Sequence, residues 1–348
     1  MATLRSDTIS GIGTEGVVLD GGLHFRSKNY MTLPKGNTAQ RGRGRGVWGG
    51  GTDGSNLATI QYAELSSQGN TIDFGDLIAG NNTPSAVASS TRICFGGGRE
   101  PSVTDTIQFV EIATTSNATD FGNLTVARTF LDACSNETRG VFGSGATPSV
   151  NVTIDFITIA TTGNAQDFGD STKSSTHSYA ACASPTRGIF AGGYQPSSPK
   201  FDNVIEFITI ASAGNATDFG DMTTGRFNMT PGGCSSTTRG IFGGGKILSP
   251  GTVMNNIDFI TIATIGDSTD FGDLTVARQT CGACSNTLRG VFGGGNTSPS
   301  KINVIDFIEI ATTGNANDFG DMLLEQGDSA ASSSTSDHSR PPFYWNLY

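Results

Sequence analysis

The stretch Leu288–Asp321, LRGVFGGGNTSPSKINVIDFIEIATTGNANDFGD, decides the fold, because close variants of it occur six times along the chain. Its opening Arg recurs at Arg45, Arg92, Arg139, Arg187, Arg239 and Arg289, with spacings of 47, 47, 48, 52 and 50. Its closing D-F-G recurs from Asp73, Asp120, Asp167, Asp218, Asp270 and Asp318, with spacings of 47, 47, 51, 52 and 48. Two markers that drift together define one repeating unit, and a period of this length signals a propeller or solenoid.

Each unit reads as four strands. In the unit Ala277–Asp321 an inner strand lies around Thr280–Asn286, followed by a hairpin ending at Arg289-Gly290, and then by Val291–Gly295. Asn303–Ala311, NVIDFIEIA, carries β-branched and aromatic residues on both faces, as expected of a strand sandwiched between sheets. A Thr-Gly-Asn turn leads into Asn317–Asp321. Four antiparallel strands per unit make the blade of an all-β propeller.

The termini set the expected number of blades. Arg340, with Phe343 after it, stands 51 residues beyond Arg289, and Phe25 stands 49 before Phe74. The sequence thus predicts seven blades. The last takes its inner pair from Ser329–Asp337 and Arg340–Leu347, and its outer pair from Gly16–Asp20 and Leu23–Met31. Dividing 348 residues by seven leaves about 50 per blade, so a single domain is expected with little room for a second. The alternative is six blades and an N-terminal arm of about forty residues, with residues 1–40 serving closure or anchoring.

Composition agrees with such a fold. The 48 Gly and a charged fraction of only 15% disfavour helices. No apolar run approaches membrane-spanning length, and MATLRSDTIS has no hydrophobic stretch of a signal peptide, so neither membrane insertion nor secretion is expected. A net charge of −10 argues against nucleic acid as a partner. The Arg41, Arg43 and Arg45 tract reads as a turn against acidic neighbours, and the Asn117 and Asn215 sequons as turn residues.

Catalytic readings fail on their missing parts. The D-F-G triplets lack a kinase's phosphate loop, strand Lys and H-R-D loop, and read instead as outer strands with Phe inward, Asp and Gly turning, and an acidic rim. No helix or Lys-Ser/Thr follows the Gly runs, so they read as places where blades approach closely near the axis. Cys134, Cys182, Cys234 and Cys284 share one slot of the inner strand and read as small packing positions, with Cys94 in a second strand. The C-x-x-C at Cys281 and Cys284 has no second pair, so no metal or cofactor is expected. His24, His177 and His338 stand in no catalytic spacing, although His177 lies in a variable loop. The chain reads as a non-enzyme, with a carbohydrate-binding or carbohydrate-active propeller as an alternative class.

The repeat resembles the kelch motif: Arg128, Arg226 and Arg278 open inner strands, and Phe95-Gly96-Gly97, Phe242-Gly243-Gly244 and Phe292-Gly293-Gly294 close second strands. The kelch outer Trp is replaced by the Phe of D-F-G. The wording of the repeat is similar to that of repeat proteins of tailed phages of marine bacteria. YMTLPKGNTAQRGRGRG, Tyr30–Gly46, resembles the L-P-x-G-x-T-A-x-R segment of phage tail-fibre and other virion proteins. The resemblance implies a virion location, other virion proteins as partners, and a tail-fibre or tail-associated role in host attachment or, alternatively, capsid decoration. A host-surface glycan or outer-membrane protein would be the receptor. The aromatic end Phe343-Tyr344-Trp345 reads as part of blade closure or as a docking peptide.

Length variation is confined to loops that follow the Gly runs or join blades, which open on one face. Variable loops on a rigid scaffold carry recognition. The expected contacts are Arg99, Tyr194, Gln195, Lys200, Lys246, Met254 and Lys301, whose cations make this face less acidic than the rim.

Overall fold

The computed structural model describes residues 44–147, 149–172, 177–195, 201–230, 232–248 and 251–333. Six four-stranded antiparallel sheets form the ring, not the seven expected. Five are contiguous in sequence, as in Gly282–Ser285, Arg289–Gly293, Val304–Glu309 and Asn317–Asp321. The sixth joins the two ends of the repeat array: Ala330–Ser333 is the inner strand of the sheet continued by Arg45–Gly49, Thr59–Glu64 and Ile72–Asp76. Seven blades would need an additional sheet between these ends. Instead, the inner strand that follows the last D-F-G pairs directly with the strand of the first Arg, Gly46 opposite Ser333 and Trp48 opposite Ala331. The proposed outer pair at 16–31 and the Arg340–Leu347 strand lie outside the described residues. Arg289-Gly290 belongs to the second strand itself rather than to the hairpin before it.

The cores lie between blades. Ile107 faces one neighbour and Val110 the other, so alternate residues of a third strand enter different clusters, which is why this strand is apolar on both faces. The cluster of Trp48, Ala63, Leu65 and Ala331 with Val291, Ile305 and Phe319 seals the first blade to the last.

Recurrent residues act at these junctions. The Arg of each unit lies over its own blade's third-strand aromatic at 4.5–4.9 Å. It also donates to a carbonyl of the next blade, as Arg139 does to Ile210 and Arg239 to Ile310, both at 2.9 Å. Cys134, Cys182, Cys234 and Cys284 press their sulfurs against Gly188, Gly240, Gly290 and Gly46, where an added Cβ would come within 2.5–2.6 Å. All six cysteines are buried free thiols.

Two motif readings are corrected. The Gly of D-F-G does not turn the chain but sits at a bulge within the outer strand, where the register slips. Its φ is near +146°, and a Cβ would strike the backbone of the next blade's turn, 2.5 Å from Gly314 O at Gly272. The turn Asn caps the neighbouring strand, Asn117 accepting from Asp76 N and Asn215 from Asp170 N, each at 3.0 Å. The first Asp of each triplet is exposed on the rim.

Arg128, Arg226 and Arg278 do not open inner strands but lie buried in the preceding loop. They meet third-strand carboxylates, Arg128–Asp155 at 2.8 Å, Arg278–Asp306 at 3.0 Å and Arg226–Asp258 at 3.4 Å. Numbering the blades in chain order from the one that joins the two ends, blade 1 holds Gln326 and Gln61 in the same two places, hydrogen-bonded at 3.2 Å. In blade 2 these places hold Asn81 and Gln108. Three blades thus match acid with Arg and two place amides at both positions, while Glu206, at the same third-strand place, accepts from Ser171 Oγ and from Thr172 N and Oγ1.

Candidate functional site

The blade architecture separates two faces. On the hairpin face one side chain of each described inner hairpin caps its own turn. Ser89, Asn136, Ser184, Ser236 and Asn286 accept from the N–H groups two and three residues on. Only a short acceptor fits, so chemistry fixes the residue. A channel lined by Ala88, Ala133, Ala183, Ala283 and Ala331 opens here, with about 80 Å³ available, room for a short file of water. Ser135, Ser235 and Ser285 tie neighbouring inner strands along it, donating to Ala88, Ala183 and Ser235 carbonyls at 2.7–2.9 Å.

On the loop face the backbone is equally regular and the side chains are not. In each blade the residue after the Gly pair bridges to a residue of the loop entering that blade. The pairs are Thr52 with Gly327, Arg99 with Asn82, Ala146 with Thr129, Tyr194 with His177, Lys246 with Phe227, and Asn296 with Gln279. The next residue inward is Thr83, Phe130, Ser178, Asn228, Thr280 or Asp328, all left-handed with φ between +53° and +61°. Backbone bonds link this innermost ring from blade to blade: Thr83 N to Asp328 O, Ser178 N to Phe130 O, Thr280 N to Asn228 O and Asp328 N to Thr280 O, at 2.7–3.2 Å. Three concentric rings therefore share one backbone and differ in chemistry at almost every blade. A left-handed residue other than Gly costs about 1–2 kcal/mol, and such strain clusters at functional sites.

The expected contacts fall into this pattern unequally. Tyr194 and Lys246 occupy the outermost of the three rings in adjacent blades, and Arg99 occupies it two blades from Tyr194. Lys301 bridges to Asn296, and its charge acts on Asp328. Gln195 and Met254 are half-buried beside the rings, and Lys200 lies outside the described residues.

Aromatic groups concentrate on one sector. Phe130 and His177 stand with ring centres 5.5 Å apart, His177 and Tyr194 5.1 Å, and Tyr194 and Phe227 5.4 Å. None of the four belongs to the inter-blade cores. Burial holds the His177 ring below its ordinary pKa, and its Nδ1 meets Ser178 Oγ at 2.8 Å. Beside the row, the innermost ring surrounds a recess of about 10 Å³, which holds about one water. Burial raises the Asp328 carboxyl to about 6, against the pull of the Lys301 charge and the Thr280 hydroxyl.

Phe227 of the middle ring, and the innermost ring with Phe130, escaped the sequence reading. Aligning the units at the column two residues ahead of each inner strand, five ahead in the unit of Asn228, would have exposed the innermost ring, since that column reads Thr, Phe, Ser, Asn, Thr, Asp. Among the described residues no group of three His, Cys, Asp or Glu is placed to hold a metal, and no helix is long and apolar enough to cross a membrane. No known family model matches the chain, and no curated protein matches it.

Proposed function

We propose that this chain is a structural protein of a phage virion, a kelch-like propeller associated with the tail, that recognises a host-surface receptor or a neighbouring virion subunit through its loop face. The observation carrying this reading is the contrast between the faces, one fixed by turn chemistry and the other varied on an unvarying backbone. A surface selected only for stability has no reason to change residue at every blade. The propeller's polarity supports it. Its first described residue, Gly44, and its last, Ser333, both lie at the hairpin face, opposite the varied loops. The resemblance of Tyr30–Gly46 to virion segments supports an anchoring role for that segment.

The test is to label the protein in purified particles with gold-coupled antibody and to measure whether free propeller blocks particle adsorption. Tail labelling with competition lost in Tyr194→Ala and Lys246→Ala supports the reading. Labelling confined to the head favours decoration, and no labelling of particles overturns a virion role.

A further inference from the structure

We infer that the loop face takes a saccharide, seated across the half-buried aromatic groups Phe130, His177 and Tyr194, with hydroxyl groups directed to the axial recess. This rests on the reading of the loop face as a recognition surface and names its ligand class. Aromatic side chains at binding sites present flat apolar faces whose polar tips find partners, and a few placed polar groups beside them fix orientation. Here Phe130, His177 and Tyr194 are half-buried outside the inter-blade clusters, Phe227 backs Tyr194 at only 8% exposure, and the neighbouring groups are short: the Ser178 hydroxyl, the Asn228 amide, the Thr280 hydroxyl and the Asp328 carboxylate.

Thr280 is only 7% exposed, and its hydroxyl, although near enough to Asp328 to lower that group's proton affinity, makes no aligned hydrogen bond. A buried hydroxyl whose nearest acceptor, the Asp328 carboxyl, is poorly aligned is under-satisfied and is completed by a group placed from outside. Asn228 already donates to Gln279 at 2.9 Å, which fixes its amide as a preset contact.

Competing ligand classes fit less well. A peptide adding as a strand needs free backbone N–H and C=O groups. Those of this sector are paired with each other, His177 N to Tyr194 O at 3.1 Å, Tyr194 N to His177 O at 2.7 Å, and Phe227 and Lys246 reciprocally at 3.0 and 2.8 Å. A polyanion needs clustered cations, whereas Lys301 is opposed by Asp328. A pyranose has both an apolar C–H face and a rim of hydroxyls that donate and accept. The recess is too small to admit it, so the ring lies over the row and reaches inward with its substituents.

The experiment incubates the full chain on an immobilised panel of mono- and oligosaccharides and bacterial surface polysaccharides, then titrates retained saccharides by calorimetry. Tyr194→Leu, Phe130→Leu and Thr280→Val remove the stacking faces and the hydroxyl while keeping bulk, and Asp120→Asn on the rim is the control. Retention of a saccharide, weakened at least tenfold in the three loop-face variants and unchanged in the control, is the expected result. Retention with equal affinity in all variants overturns the site. If no saccharide is retained while Tyr194→Leu still weakens binding to cells or particles, the ligand class is overturned and the recognition reading stands. Loss of neither kind of binding in any variant overturns both.

Discussion

The matched buried pairs give a quantitative test of how the ring is held. Arg278 and Asp306 are both fully buried; Arg278 also donates to the Phe292 carbonyl at 3.1 Å, and Asp306 accepts from Thr275 N at 3.0 Å. Arg278→Gln alone strands a carboxylate between two blades, which costs about 3–5 kcal/mol. With an unfolding entropy of about 2.1 cal/mol/K per residue over about 290 residues, 4 kcal/mol lowers Tm by roughly 7 °C. Asp306→Gln alone strands the guanidinium and costs a similar amount. The double variant recreates the Gln326–Gln61 pair of blade 1, where Gln61 also accepts from Thr71 Oγ1 and Leu323 N. The longer side chain fits, since blade 4 carries Glu206 in this place. The double variant is therefore expected within about 1 kcal/mol of the parent.

Urea unfolding followed by tryptophan fluorescence and by circular dichroism reads all four proteins. Simple additivity, with the double variant as unstable as the two single losses summed, would refute the claim that charge matching governs this junction.

Four further outcomes are expected. Burial pushes the Asp132 carboxyl up to about 8, so between about pH 4 and 8 the folded chain keeps a proton that the unfolded chain releases, and stability falls as pH rises through that window. Relative to Asp132→Asn, the parent should lose a few kcal/mol in urea between pH 4.5 and 7.5, and parallel curves would contradict this. All six thiols are buried, and burial raises Cys94 to about 12, so Ellman's reagent should titrate none before unfolding and six after. Gly320 has φ +148° and a Cβ there would stand 2.6 Å from Gly69 backbone atoms across the ring seam, so Gly320→Ala should cost about 2–4 kcal/mol by thermal unfolding, and a neutral variant would argue against the six-blade closure. Thr280→Gly relieves a β-branched residue at φ +53°, so stability should change by less than about 1 kcal/mol, and a loss above twice that would show the ring side chain to be structural.

The periodicity of Arg and D-F-G was enough to read the blade, its four strands and the face on which variable loops open. The blade count was misread because fragments such as Arg340-Pro341-Pro342-Phe343 match the repeat in composition, and spacing alone cannot tell a paired strand from a chance match. Closure is a matter of hydrogen-bonded register, Trp48 opposite Ala331, which no local pattern contains. The D-F-G bulge was hidden for a similar reason: its Gly is required by the neighbouring blade's turn, not by its own. At the site, Tyr194 and Lys246 were legible because they follow conspicuous Gly runs. Phe130 and Asp328 were not, because the loops entering each blade look like ordinary polar connections until the backbone aligns them.

The chain's use of Gly sharpens what the innermost ring is for. Where a positive φ is needed purely for geometry, at the Gly pairs and the D-F-G bulges, Gly fills almost every place. Around the axis the need for a left-handed backbone recurs in all six blades, and in none of them is it met by Gly. Each of these residues carries a strain of about 1–2 kcal/mol that Gly would lower. The side chains are also unlike one another, so no common packing role accounts for keeping them. The hairpin face shows what a common role looks like, with Ser or Asn at every described cap. A position that keeps a left-handed backbone in every blade yet takes five residue types in six blades is not set by one packing role common to the ring.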